Sequence, residues 1–76
     1  MTLSDISAWC NDHVMMPSRV VYNSESGNKV VFDNGDSYEY QEREKGMFEK
    51  VCKYFINGEL VNETAFTWHN FGWKAI

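Results

Sequence analysis

No run of the 76-residue sequence approaches the roughly 20 consecutive apolar residues that a membrane-spanning helix needs. Proline occurs once, at Pro17, and no Pro/Gly/Ser-rich stretch divides the chain, so one compact domain over residues 1–76 is expected. Cysteine is limited to Cys10 and Cys52. An extracellular domain of this size usually carries a denser disulfide framework, and the N-terminus lacks the basic and apolar regions of a signal peptide. A reducing cytoplasm is therefore the expected setting, with each thiol a small hydrophobe on an apolar helical face; a single Cys10–Cys52 disulfide stays open as the alternative. Without a secretory signal, Asn62-Glu63-Thr64 reads as a chance glycosylation match.

The chemistry-bearing motifs are equally sparse. Cys10, His13, Cys52 and His69 are the conceivable soft-metal ligands, yet they form no Cys-x-x-Cys pair and no compact Cys/His series, so no metal or other cofactor is expected. Neither thiol sits in a nucleophile turn followed by a glycine-rich oxyanion loop, and the acidic residues lack EF-hand spacing. Phosphate-cradling glycine loops are absent. These omissions argue against an enzyme.

What the chain has in quantity is aromatic surface: three Trp, four Tyr and five Phe. Trp68, Phe71 and Trp73 fall close together near the C-terminus. A domain this small buries only about 60% of its unfolded surface, so some of these rings are expected to face solvent. Seven basic against eleven acidic residues give a net charge of −4, which disfavours non-specific binding to a polyanion.

Local patterns predict the elements. Thr2 and Asp5 open a helix whose apolar stripe runs through Leu3, Ile6, Trp9, Cys10 and His13 or Val14, and Pro17 ends it. Arg19–Tyr22 and Lys29–Phe32 read as strands around a polar turn. Asp33-Asn34-Gly35-Asp36 then forms a tight turn. A three-residue loop with left-handed Gly35 sets Phe32 opposite Asp36, Val30 opposite Tyr38 and Lys29 opposite Glu39. That register gathers Val30, Phe32, Tyr38 and Tyr40 on one face and is preferred over a two-residue turn.

Gln41–Lys45 reads as a polar lead into a second helix with Met47, Phe48, Val51, Cys52 and Phe55 on its apolar face, a Glu49–Lys53 pair outside, and Gly58 as its left-handed cap. Leu60–His69 alternates as a long strand with Phe66 and Trp68 inward, and Trp73–Ile76 can add a short last strand. The expected fold class is α+β: a three- to five-stranded antiparallel sheet with two helices on one face, in the order α-β-β-β-α-β(-β).

The functional expectation is a small macromolecule-binding protein that binds, and in so doing can inhibit, a protein partner. Its anchors are Tyr22, Trp68, Phe71 and Trp73, with Glu39 and Glu42 from an acidic set suited to a basic partner surface. In size and style the chain resembles accessory inhibitors made by bacteriophages. The alternative is a single-stranded nucleic-acid-binding module that stacks bases on exposed rings; interleaved charges such as Glu42-Arg43-Glu44-Lys45 disfavour it. Homodimerisation through strand edges is a further option.

Overall fold

The N-terminal helix forms where its capping residues place it. In the computed structural model, which describes residues 1–76, helix α1 (Leu3–Asp12) is capped by Thr2, whose hydroxyl accepts from the Asp5 amide at 3.1 Å while the Asp5 carboxylate accepts from the Thr2 amide at 3.0 Å. The reciprocal pair satisfies amides that the first turn otherwise leaves unbonded. Six strands follow: β1 (Ser18–Ser24), β2 (Gly27–Phe32), β3 (Ser37–Gly46), β4 (Glu49–Ile56), β5 (Glu59–His69) and β6 (Gly72–Ala75). They pair in chain order as one antiparallel meander, β1-β2-β3-β4-β5-β6, open at both edges.

The expected second helix does not exist. Residues 41–45 continue β3, and Val51, Cys52 and Phe55 belong to β4, where Val51 and Phe55 point to one face and Cys52, Tyr54 and Ile56 to the other. The sheet accordingly has six strands rather than three to five, and one helix rather than two. Glu49 and Lys53 are not a helical pair; Lys53 lies 3.9 Å from Glu63 of the neighbouring strand. Asn57 and Gly58, with φ of 53° and 81°, form the β4–β5 hairpin turn instead of a helix cap. The physical reason is that Val51–Ile56 is rich in β-branched and aromatic residues, and so short a largely apolar run, broken only by Lys53, supports either period until strands on both sides supply hydrogen bonds.

The β2–β3 hairpin has the three-residue loop. Phe32 N–H donates to the Asp36 carbonyl at 2.8 Å, Gly35 is left-handed at φ 89°, and Val30 and Lys29 face Tyr38 and Glu39. Val30, Phe32, Tyr38, Tyr40, Tyr54 and Ile56 thus share one sheet face, and α1 lies across the half of that face nearest this hairpin. Trp9 meets Phe32 edge-on at 5.8 Å, and Met1 is tied to β5 through the Val61 carbonyl and the Asn62 side chain. Ile6, Cys52 and Ile56 are buried on this side, while Val51 is buried on the opposite face. Burial pushes the Tyr38 phenol up to about 12 and raises the Cys10 thiol. Both cysteines are free thiols.

His13 fastens the end of α1 to the sheet. Its Nδ1–H donates to the Trp9 carbonyl at 2.7 Å and its Nε2–H to the Asp36 carboxylate at 2.8 Å. Because both acceptors are oxygens without protons to give, the arrangement suits the imidazolium. The ring also stacks on Trp9, with centroids 3.9 Å apart. The Asp36 carboxylate further accepts from Asn34 and Asn57, so one carboxylate joins the helix end to two hairpin turns.

The hydrogen bond to Asp36 is the main cause raising the His13 pKa, and the same bond lowers that of Asp36. His13 therefore contributes stability fully below the ordinary imidazole value of about 6.5, and loses it as pH rises through its elevated native value. Asp36 contributes above the ordinary carboxylate value of about 3.9 and fades as pH falls through its depressed native value. Thermal melts from acid to alkaline pH should therefore show greatest stability between those two reference values, declining on the alkaline side. Asp36→Asn should flatten that alkaline decline; an unchanged decline in the variant would show that other groups cause it.

Candidate functional site

Alternation along the strands sorts the side chains that sequence reasoning could only scatter. The hairpin turns after β1, β3 and β5 lie at the end of the sheet away from α1. There the helix-bearing face is uncovered and carries Lys50, Phe66, Trp68 and Trp73 on adjacent strands. Trp68 and Trp73 are opposite one another across β5 and β6, meet edge-to-face at 5.4 Å and remain 39% and 40% exposed. Phe71, in the turn between them, is 95% exposed. Met47 and Phe48 in the neighbouring turn are exposed as well, and the Phe48 carbonyl accepts from the Trp68 amide at 2.7 Å.

The backbone makes Phe71 unusual. Asn70 and Phe71 have φ of 51° and 61°, the left-handed pair of a two-residue hairpin turn. Asn or Gly suits these positions, whereas an ordinary side chain there costs about 1–2 kcal/mol. A large ring sits at the second position and is almost wholly in solvent.

Lys50 is the cation of this patch, and its charge is already engaged. Its ammonium lies 4.3 Å from the Trp73 ring centroid and 3.3 Å from the Glu42 carboxylate. Glu42 also accepts from the Tyr40 hydroxyl at 2.7 Å, and that hydroxyl lies 3.0 Å from the Cys52 sulfur. Burial is the largest cause raising the Tyr40 phenol, reinforced by Cys52 and Glu42, so it remains a protonated donor through neutral pH. Cys52 is 1% exposed and cannot meet a substrate.

Tyr22 and Glu39 lie on the opposite, helix-free face, joined by a phenol-to-carboxylate bond of 2.5 Å that raises the tyrosine and lowers the glutamate. The six residues expected to bind a partner therefore do not form one patch. Trp68, Phe71, Trp73 and the engaged Glu42 lie at the aromatic end, whereas Tyr22 and Glu39 are behind it. Sequence reasoning missed Lys50, Met47 and Phe48, because a helical reading of residues 47–55 turns them away from the late tryptophans.

The helix-free face collects cations. Arg19, Lys29, Arg43, Lys53 and Lys74 alternate onto it, against Glu39, Glu49 and Glu63. Cys10 and His13, considered as metal ligands, are not joined by further donors, and no group of three His, Cys, Asp or Glu side chains is placed to hold an ion. No helix is long and apolar enough to cross a membrane. No family model, curated protein or solved structure matches this chain.

Proposed function

We propose that this chain is a binding protein that docks a protein partner on the aromatic end of its sheet, with Phe71, Trp68 and Trp73 as anchors. The observation that carries the reading is Phe71, a fully exposed ring held at a left-handed position that favours glycine. Strain of this kind lowers the stability of the free chain and is retained where the residue has work outside the fold. The partner surface that fits is an apolar recess with a basic rim, since exposed Glu44 alternates onto the same face as Glu42. Occupying such a surface would inhibit the partner without chemistry by this chain. Unpaired thiols at Cys10 and Cys52 accord with a cytoplasmic setting.

A strand of nucleic acid suits this patch less well. Stacked bases need cations for their phosphates, and Lys50 is already committed to Glu42 and Trp73. The test separates stability from binding. Phe71→Gly relieves the left-handed strain and should stabilise the fold by about 1 kcal/mol, raising the melting temperature by about 4–8 °C in a domain of this size. The same variant, used as bait beside the wild type and Trp73→Ala, should fail to retain the proteins that wild type captures. Retention of those proteins by both variants, or capture of single-stranded nucleic acid in their place, would overturn the reading.

A further inference from the structure

The largest concavity is not at the aromatic end. It is a cleft of about 430 Å³ on the helix-free face, among the strands behind the aromatic patch. Val51, 8% exposed, and the half-buried Tyr22 supply its apolar surface; Ser26 and Gln41 supply neutral hydrogen-bonding groups. Arg43, Lys45 and Lys53 supply positive charge. The volume lies within the usual range for a small-molecule site, but the lining is mainly polar and charged, as suits an ionic rather than an apolar ligand.

The charges within the cleft are unbalanced. Arg43 and Lys45 have no ion-pair partner in the chain, and Lys53 has only Glu63 at 3.9 Å, with both side chains about half exposed. Glu42 reaches the rim, but its carboxylate is held by Lys50 and Tyr40. Gln41 pairs across the strands with Lys53, and Arg43 with Val51, so the Arg43 and Lys53 side chains are diagonal neighbours on one face. Like charges at such positions repel unless an anion lies between them. Tyr22 is fixed independently, because its hydroxyl is bonded to Glu39.

We propose that this cleft binds a small phosphate ester of about mononucleotide size, with Arg43, Lys45 and Lys53 on the phosphate and Tyr22 and Val51 against its apolar portion. Arginine's planar fork matches two phosphate oxygens, and lysine adds point charge without directional demand. Two carboxylates, Glu42 and Glu63, also line the cleft, but Glu42 is held by Lys50 and Tyr40, so a dianionic group answers the three cations better than a single carboxylate does. The same face disfavours an extended polynucleotide: Glu39 and Glu49 interrupt it outside the cleft, so successive phosphodiesters would meet carboxylates on leaving it.

Titration calorimetry at low salt with AMP, adenosine, inorganic phosphate and an oligothymidylate strand tests the proposal. AMP should bind, adenosine should bind at least about tenfold more weakly, and Arg43→Ala and Lys53→Ala should each weaken AMP by about tenfold. Trp73→Ala, on the other face, should leave AMP binding unchanged, so the outcome is separate from that of the partner-docking surface. Resonances of Val51 and Gln41 should shift on adding AMP. Inorganic phosphate binding as tightly as AMP, with the same Arg43 dependence, would support the phosphate site and identify the free anion as the ligand. Absence of binding by both AMP and phosphate, insensitivity to Arg43→Ala, or tighter binding of the oligothymidylate would overturn it.

Discussion

Gly27→Ala is expected to destabilise the protein by about 3 kcal/mol, combining a backbone conformation that side chains avoid with a steric overlap that cannot relax. Gly27 begins β2 with φ 156°, and a Cβ there would lie 2.3 Å from the Tyr40 carbonyl oxygen and 3.2 Å from the Gln41 Cα. Both obstacles are main chain of the next strand. Moving them would break the β2–β3 ladder, where Gly27 faces Gln41, and the bond from the Glu42 amide to the Ser26 carbonyl. For a domain whose total stability is about 4–11 kcal/mol, this is a large share, and the melting temperature should fall by about 12–24 °C. Gly46→Ala is the control, since a Cβ there meets nothing within 4 Å and its φ is ordinary. Circular dichroism melts of the two variants decide the matter: if both melt alike, the close approach of β2 and β3 is not a constraint on the fold.

The first half of this architecture is legible in the residues because local signals there agree with tertiary packing. Thr2, Asp5 and Pro17 bound a helix that has no competing period. The Asn34-Gly35 loop fixes its own register once Val30, Phe32 and Tyr38 must share a face with the helix. Residues 41–56 are different. Gln41–Lys45 is polar on both faces because one face looks into the cation-lined cleft and the other carries Glu42 and Glu44 beside the aromatic patch. A strand with two polar faces loses the alternation that identifies it. Phe48, Val51, Cys52 and Phe55 then mimic a helical stripe, although the structure divides Val51 and Cys52 between opposite faces.

The same helical period hides the surfaces proposed for binding. Ring content and chain length imply only that some of the late rings face solvent; the strand alternation that turns Trp68 inward does not foresee that it stays 39% exposed beside Trp73, nor which side chains surround the two. Lys50 reaches Trp73 only because β4, β5 and β6 are consecutive strands, and Arg43 joins Lys53 only because β3 pairs with β4. Interleaved charge in sequence looks self-neutralising. Strand alternation sends Glu42 and Arg43 to opposite faces, and so converts a neutral run into an anionic side and a cationic side.

Ile6→Ala should release α1 from the sheet, the second large effect expected here. Ile6 is 4% exposed and is the buried aliphatic side chain of the helix, whose other holds are Trp9, His13 and the Met1 bonds to β5. Truncating a buried isoleucine costs about 2–5 kcal/mol, and a helix lying on one side of a sheet can partly settle into the gap, so about 3 kcal/mol is the expected loss. A ten-residue helix is unstable alone in water, so undocking and unfolding of α1 are the same event. Amide exchange within α1 should therefore accelerate about a hundredfold, while β3 and β4, whose hydrogen bonds run between strands, retain more of their protection. His13 then loses its position against Asp36, and the alkaline decline in stability should weaken in the same variant. Uniform acceleration across helix and sheet would instead make the two one cooperative unit, and unchanged exchange in α1 would mean that His13 and Trp9 hold the helix without Ile6.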